Sequence, residues 1–164
     1  ESFHLVSRRP FHVALGTVAN KQGSVAGINL SGGYATFPGV VGTAVSKICK
    51  FEVARNGLTE REIQASGLQY TTATTKTKTR AGYYPGAGWI TVKLLAEQGS
   101  GRLLGGQIVG LEGAAKRIDV LATALTAGMT VQQIVDLDLS YAPPFSPVWD
   151  PVQTAARRLL GGGE

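Results

Sequence analysis

The residues of this chain with most chemical potential are three tyrosines set in stiff surroundings. Tyr83 and Tyr84 stand in "GYYPG" (82–86), and Tyr141 in "SYAPPFSPVWDP" (140–151). Each phenol can donate or accept a hydrogen bond near neutral pH. Pro143, Pro144, Pro147 and Pro151 fix φ and remove amide donors, so the second stretch can be neither regular helix nor central strand. It nevertheless carries Tyr141, Phe145 and Trp149, three of the twelve aromatics (5 Phe, 5 Tyr, 2 Trp). Aromatic side chains on a rigid loop lose few rotamers on binding, which suits anchors at an interface or beside a substrate. The same rings could instead plug the protein's own core and leave their hydroxyls in water. The residue types leave both readings open.

The rest of the sequence lacks the parts for self-contained catalysis. No G-x-G-x-x-G follows a strand, and no phosphate-loop lysine motif occurs. No cluster of histidines or carboxylates has metal-ligand spacing. His4 and His12 have no neighbours to complete a triad. Cys49, the single cysteine, is expected mid-strand, where Lys47 and Lys50 would activate its thiol only weakly. One cysteine allows no disulfide framework and fits a reducing cytoplasm. No apolar run reaches the ~18 residues of a membrane span. The net charge of +5 is dispersed over Lys76, Lys78 and Arg80, the pair Lys116–Arg117 and the pair Arg157–Arg158. Without a nucleic-acid motif, this distribution points to a solvated face. An alternative is a self-standing module binding a phosphorylated small molecule through Lys76, Lys78, Arg80 and the tyrosines.

These residues must be positioned by the surrounding elements. The first sixteen residues begin without Met and with a strand-like "ESFHLV", as if cut from something larger. Thr17 is expected to cap a helix to about residue 30–31, with Ala19, Gly23, Ala26, Gly27 and Leu30 on one nearly bare face. Residues 43–54 alternate as one strand with an irregularity, ended by turn chemistry at Arg55-Asn56-Gly57. Thr59 and Glu62 form a capping box for a short helix stopped by Gly67. Residues 68–80 form a Thr-rich strand, and 89–97 and 101–110 a hairpin. Helices follow at about 113–127, at 131–136 behind a Thr130–Gln133 cap, and at 152–160 behind Pro151. Strands followed by helices indicate an α+β layer rather than a doubly wound sheet.

Together, "LGTVANKQGSVAG", "FPGVVGTAVSKICKFEVARNGLTE", "TRAGYYPG", "GGQIVGLEGAAKRIDVLATAL" and "DLSYAPPFSPVWDPV" resemble the C-terminal part of FAD-dependent pyridine nucleotide–disulfide oxidoreductases. The likeness is to the coenzyme A-disulfide reductase and NADH oxidase branch. It covers nearly all 164 residues. It implies a mainly antiparallel sheet with helices on one face over residues 35–164, the dimerisation domain. Residues 1–34 would be the tail of the FAD domain, with Leu15, Gly16 and Thr17 at the flavin edge. A helix N-terminus there would favour the negative charge a reduced flavin gathers.

The resemblance further implies a homodimer in which this domain completes the partner's active site. General disulfide reductases place a His-Pro pair in that region, whereas this sequence has Ala142-Pro143-Pro144. Tyr141, with Tyr83 or Tyr84, would then hydrogen-bond a sulfur on the other subunit, and Phe145 and Trp149 would anchor the interface. The catalytic cysteine and both dinucleotide motifs of the family have no counterpart here, and Cys49 does not match that cysteine. FAD and NAD(P)H would belong to the full-length protein and its upstream domains, not to this stretch alone. Coenzyme A disulfide, a persulfide or polysulfide, or oxygen would be reduced.

Overall fold

The computed structural model describes residues 2–161. A small hairpin opens it, β1 (Ser2–His4) against β2 (Arg9–Phe11), followed by helix α1 (Gly16–Leu30). Five strands build the main sheet: β3 (Ala44–Ile48), β4 (Phe51–Gly57), β5 (Tyr70–Lys78), β6 (Trp89–Glu97) and β7 (Leu103–Gly110). Their order is β3-β4-β7-β6-β5 with every neighbouring pair antiparallel. Helix α2 (Glu60–Ser66) joins β4 to β5, and α3 (Ala114–Thr126), α4 (Val131–Val135) and α5 (Pro151–Leu159) follow β7. This is the α+β layer expected from the sequence.

Strand alternation explains the core. On β6, Ile90, Val92, Leu94 and Ala96 point to one face and are buried. Beside them lie Leu104 and Ile108 of β7, and Ile118, Leu121 and Leu125 of α3 close the layer. Helix α3 packs on β4 and β7, and α5 on β5 and β6, so both helices cover this face. The amide of buried Asn56 donates to the Ile118 carbonyl at 2.9 Å and ties sheet to helix. The opposite face carries Phe51, Trp89 and Val109 exposed, with the Lys76 and Lys78 ammoniums over the Trp89 ring at 5.3 and 4.1 Å.

Three local expectations are corrected. Residues 43–54 are not one strand: the chain reverses at Cys49-Lys50, and Cys49 adopts φ 52° at an exposed hairpin turn rather than mid-strand. Arg55-Asn56-Gly57 is not a turn but the end of β4, held by pairing to Gln107, Gly106 and Gly105 of β7. Thr17 does not cap α1, whose N-cap is Leu15 and has no side-chain cap bond. Both capping boxes, Thr59–Glu62 and Thr130–Gln133, form with side-chain and backbone bonds in place.

The N-terminal segment joins the sheet domain through His4. Val40 pairs beside it, and the amides of Val6 and Ser7 donate to its Nδ1 at 3.3 Å each. The ring is therefore the Nε2–H tautomer, packed edge-on to Phe11 at 5.0 Å. Burial lowers its pKa, Glu62 opposes this, and Arg55 adds to it. The unfolded chain thus takes up a proton first as pH falls below about 6.5, and stability should drop with acid until the folded ring also protonates. Urea unfolding of this chain against pH should show that loss. His4→Asn, whose Oδ1 can replace Nδ1 as acceptor, should flatten it.

Candidate active-site loops

The "GYYPG" turn is fixed at its root. Thr79 and Gly88 close it, with Thr79 N–H donating to the Gly88 carbonyl and Gly88 N–H to the Thr79 hydroxyl, each at 3.0 Å. The Thr79 hydroxyl donates to Glu112 at 2.7 Å, and Arg80 grips the same carboxylate with two N–H groups. Those bonds from Arg80, then Thr79, hold the Glu112 carboxyl below the usual carboxylate range. Inside the turn Tyr84 N–H donates to the Ala81 carbonyl at 2.9 Å. Tyr83 is left 79% exposed and Tyr84 37%.

The proline loop is built the same way. Phe145 and Ser146 amides both donate to the Ala142 carbonyl, making a tight turn behind the proline pair. Asp150 caps α5 through Val152 N–H at 2.9 Å and receives the Ser146 hydroxyl at 3.3 Å. Pro151 occupies the first turn of that helix, as its fixed φ favours. Tyr141 and Phe145 stay exposed, at 48% and 77%. Trp149 is also exposed, with the Arg157 guanidinium stacked 4.2 Å from its ring centre.

The two segments meet. Ala81 N–H donates to the Pro143 carbonyl at 3.3 Å, and the Tyr141 phenol lies close enough to the Tyr83 phenol to feel it. The neighbouring Tyr83 phenol raises the Tyr141 pKa, so near neutral pH Tyr141 keeps its proton. Of the two turn tyrosines, Tyr83 is the one that acts on Tyr141, while Tyr84 lies near enough to Arg80 to act on its charge. None of the three is buried.

Leu15, Gly16 and Thr17 lie elsewhere. Leu15 and Thr17 line an open cleft of about 560 Å³ between α1, the 37–43 stretch and the C-terminal half of α3, including Ala122 and Thr126. The Pro loop is held instead by Arg117, near the start of α3. From Arg117 to Thr126 is nine residues, roughly 14 Å along the helix axis. The first turn of α1 lacks a side-chain cap, and Gly16 and Thr17 there are exposed, so that positive end suits an anionic group. The small face expected on α1 meets nothing: a Cβ at Gly23 or Gly27 would have no heavy atom within 4 Å.

Lys76 and Lys78 are spent on Trp89 and Arg80 on Glu112, so the basic cluster of the phosphate-binding alternative is not free. Among the described residues no group of His, Cys, Asp or Glu could hold a metal, and no helix is long and apolar enough to cross a membrane. Sequence reasoning missed Arg117, Asp150 and Glu112 as the groups that hold the tyrosine loops. The adjacent basic pair Lys116–Arg117 was the only signal.

Known proteins share this fold. The family model for the pyridine nucleotide-disulphide oxidoreductase dimerisation domain matches residues 43–151. The chain is 44% identical over 159 residues to the NAD(P)H coenzyme A polysulfide/persulfide reductase of Pyrococcus horikoshii, covering 97% of this chain and 36% of that protein. It is 32% identical over 138 residues to coenzyme A disulfide reductase of Staphylococcus epidermidis, covering 84% and 31%. The solved NAD-dependent persulfide reductase from A. fulgidus superposes with TM-score 0.95 at 47% identity, over 98% of this chain and 30% of that one. The chain thus spans about a third of the length of the curated relatives it matches. By its matched residues and its fold, it belongs to the pyridine nucleotide-disulphide oxidoreductase dimerisation domain family.

Proposed function

We propose that this chain is the dimerising, active-site-completing part of a cytoplasmic FAD-dependent NAD(P)H oxidoreductase acting on coenzyme A disulfide, a persulfide or polysulfide, or oxygen. Residues 35–164 serve as the dimerisation domain, and residues 1–34 as the end of the FAD domain, whose other part and the NAD(P)H domain lie upstream. The unpaired Cys49 supports the reducing compartment. Leu15, Gly16 and Thr17 would hold the flavin edge, and the bare face of α1 would pack inside the FAD domain. The flavin, when bound, supplies the electron path from nicotinamide to the sulfur centre.

The observation that carries the reading is the separation within one chain. Tyr83 and Tyr141 are exposed on neighbouring loops tied by Arg117 near the start of α3, while Leu15 and Thr17, proposed for the flavin edge, line the cleft by its far end. A chain so arranged would keep its own phenols away from its own flavin edge, and a symmetric partner would supply them. Tyr141, kept protonated, would donate to a cysteine thiolate or sulfur leaving group across the dimer, with Tyr83 orienting it and Tyr84 flanking the turn. Phe145 and Trp149 would seat in the partner, within a buried area of about 1,000 Å² or more.

Tyr141→Phe in the full-length protein tests this. It should lower kcat for the sulfur substrate about 10-fold, in the range one positioned proton donor contributes or somewhat below it. Bound flavin should stay stoichiometric. Stopped-flow traces matching wild type in the step that consumes the sulfur substrate would remove the phenol from the reaction.

A further inference from the structure

One side chain bonds to both tyrosine loops. Arg117 lies on the second turn of α3, with its side chain only 12% exposed and its partner Asp150 only 13%. Its Nε donates to Asp150 Oδ2 at 2.8 Å. Its Nη2 donates to the Thr79 carbonyl at 2.9 Å, at the root of the Tyr83 turn. The same Nη2 reaches the Phe145 carbonyl at 3.2 Å, inside the Tyr141 loop. One planar guanidinium thus joins three chain segments far apart in sequence. Among the described residues, a single backbone bond joins turn and loop directly, the 3.3 Å one from Ala81 to Pro143. Gly113 makes room for this side chain, because a Cβ there would collide with Arg117 Nη1. Lysine cannot replace it fully: an ammonium is a point charge without the fixed fork that meets carboxylate and carbonyls in one plane.

We propose that Arg117 is a positioning residue that locks the Tyr83 turn to the Tyr141 loop and so sets the two phenols at one point for the partner subunit. The proposal rests on the reading of the tyrosines given above. The carboxylate of Asp150 belongs to the same device, since it pairs with Arg117, caps α5 and receives Ser146. Without the guanidinium the loops would part, Tyr83 would no longer act on Tyr141, and the Tyr141 pKa would fall toward the ordinary value of about 10.

The test uses the full-length flavoprotein and five variants: Arg117→Met, Arg117→Lys, Asp150→Asn, Tyr141→Phe and the Arg117→Met/Tyr141→Phe double. Arg117→Met should lower kcat for the sulfur substrate about 10-fold and move the alkaline limb of the pH profile to lower pH. The rate at which NAD(P)H reduces the bound flavin should not change. Arg117→Lys should recover only part of the loss. In the Tyr141→Phe background, Arg117→Met should add less than about 2-fold, because both act through one phenol. Asp150→Asn keeps an oxygen to cap α5 while removing the charge, and should shift the alkaline limb in the same direction if Arg117→Met does not fold. A folded Arg117→Met or Asp150→Asn protein with wild-type kcat and alkaline limb, beside a slowed Tyr141→Phe, overturns the positioning role and leaves the tyrosine reading intact. Fully multiplicative losses in the double variant overturn it as well. A Tyr141→Phe enzyme at wild-type rate instead removes the tyrosine reading itself.

Discussion

Gly105→Ala is expected to destabilise the domain by about 3 kcal/mol or more, at the upper end of overpacking costs. β7 passes the start of α2 so closely that a Cβ on Gly105 would collide with the Leu58 carbonyl oxygen, and would lie 2.8 Å from the Leu58 nitrogen and 3.1 Å from the Asn56 oxygen. All three obstacles are backbone, and none can swing away. Leu58 N–H is bound to the Leu104 carbonyl at 2.9 Å, and Gly57 pairs in register with Gly105. The adjacent Gly106 makes the natural control. A Cβ there would meet Leu121 Cδ1 at 2.5 Å and Leu94 Cδ2 at 3.3 Å, the ends of flexible side chains. Gly106→Ala should therefore cost less, about 1–2 kcal/mol. Urea midpoints for the two variants decide the matter: a Gly106 variant less stable than the Gly105 variant would contradict the packing described.

Removing the rings of Phe145 and Trp149 together should weaken self-association of the full-length protein about 100-fold or more, equivalent to roughly 3 kcal/mol at buried aromatic anchors. Both rings are held outward by rigid backbone. Phe145 sits on the turn closed by the Ala142 carbonyl, and Trp149 precedes the cap of α5 with Arg157 stacked on it. Little conformational entropy remains to be lost when such rings seat in a partner. Sedimentation equilibrium of the Phe145→Ser/Trp149→Ser variant across a concentration series should show the monomer emerging. A dissociation constant equal to wild type would exclude both rings from the contact.

How much of this was legible in the sequence varied with the range of the forces involved. Thr59–Glu62, Thr130–Gln133 and Pro151 act within one helical turn, and their patterns give the helix starts directly. The β3–β4 reversal was hidden because its turn holds a cysteine in the left-handed region rather than glycine or asparagine, so alternation seemed to run through it. Arg55-Asn56-Gly57 has turn composition, but pairing with β7 and the Asn56 bond to α3 override that local preference. At α1 the N-cap fell on Leu15, two residues before the threonine that local rules favour. The tyrosines themselves stood out by their proline setting, whereas their role came from resemblance. That Tyr83 meets Tyr141, and that Arg117 is buried against Asp150, depends on tertiary register over dozens of residues. No spacing rule reaches that far.

The placement of the tyrosine loops and of Leu15 and Thr17 toward opposite ends of α3 carries a genetic consequence under the proposed dimer. A lesion in one allele's tyrosine loop would be felt by the other allele's product, because each copy lends its loop away. Mixed dimers of sound and damaged chains would each keep one working centre, and the centre that fails would be the one housed in the sound chain.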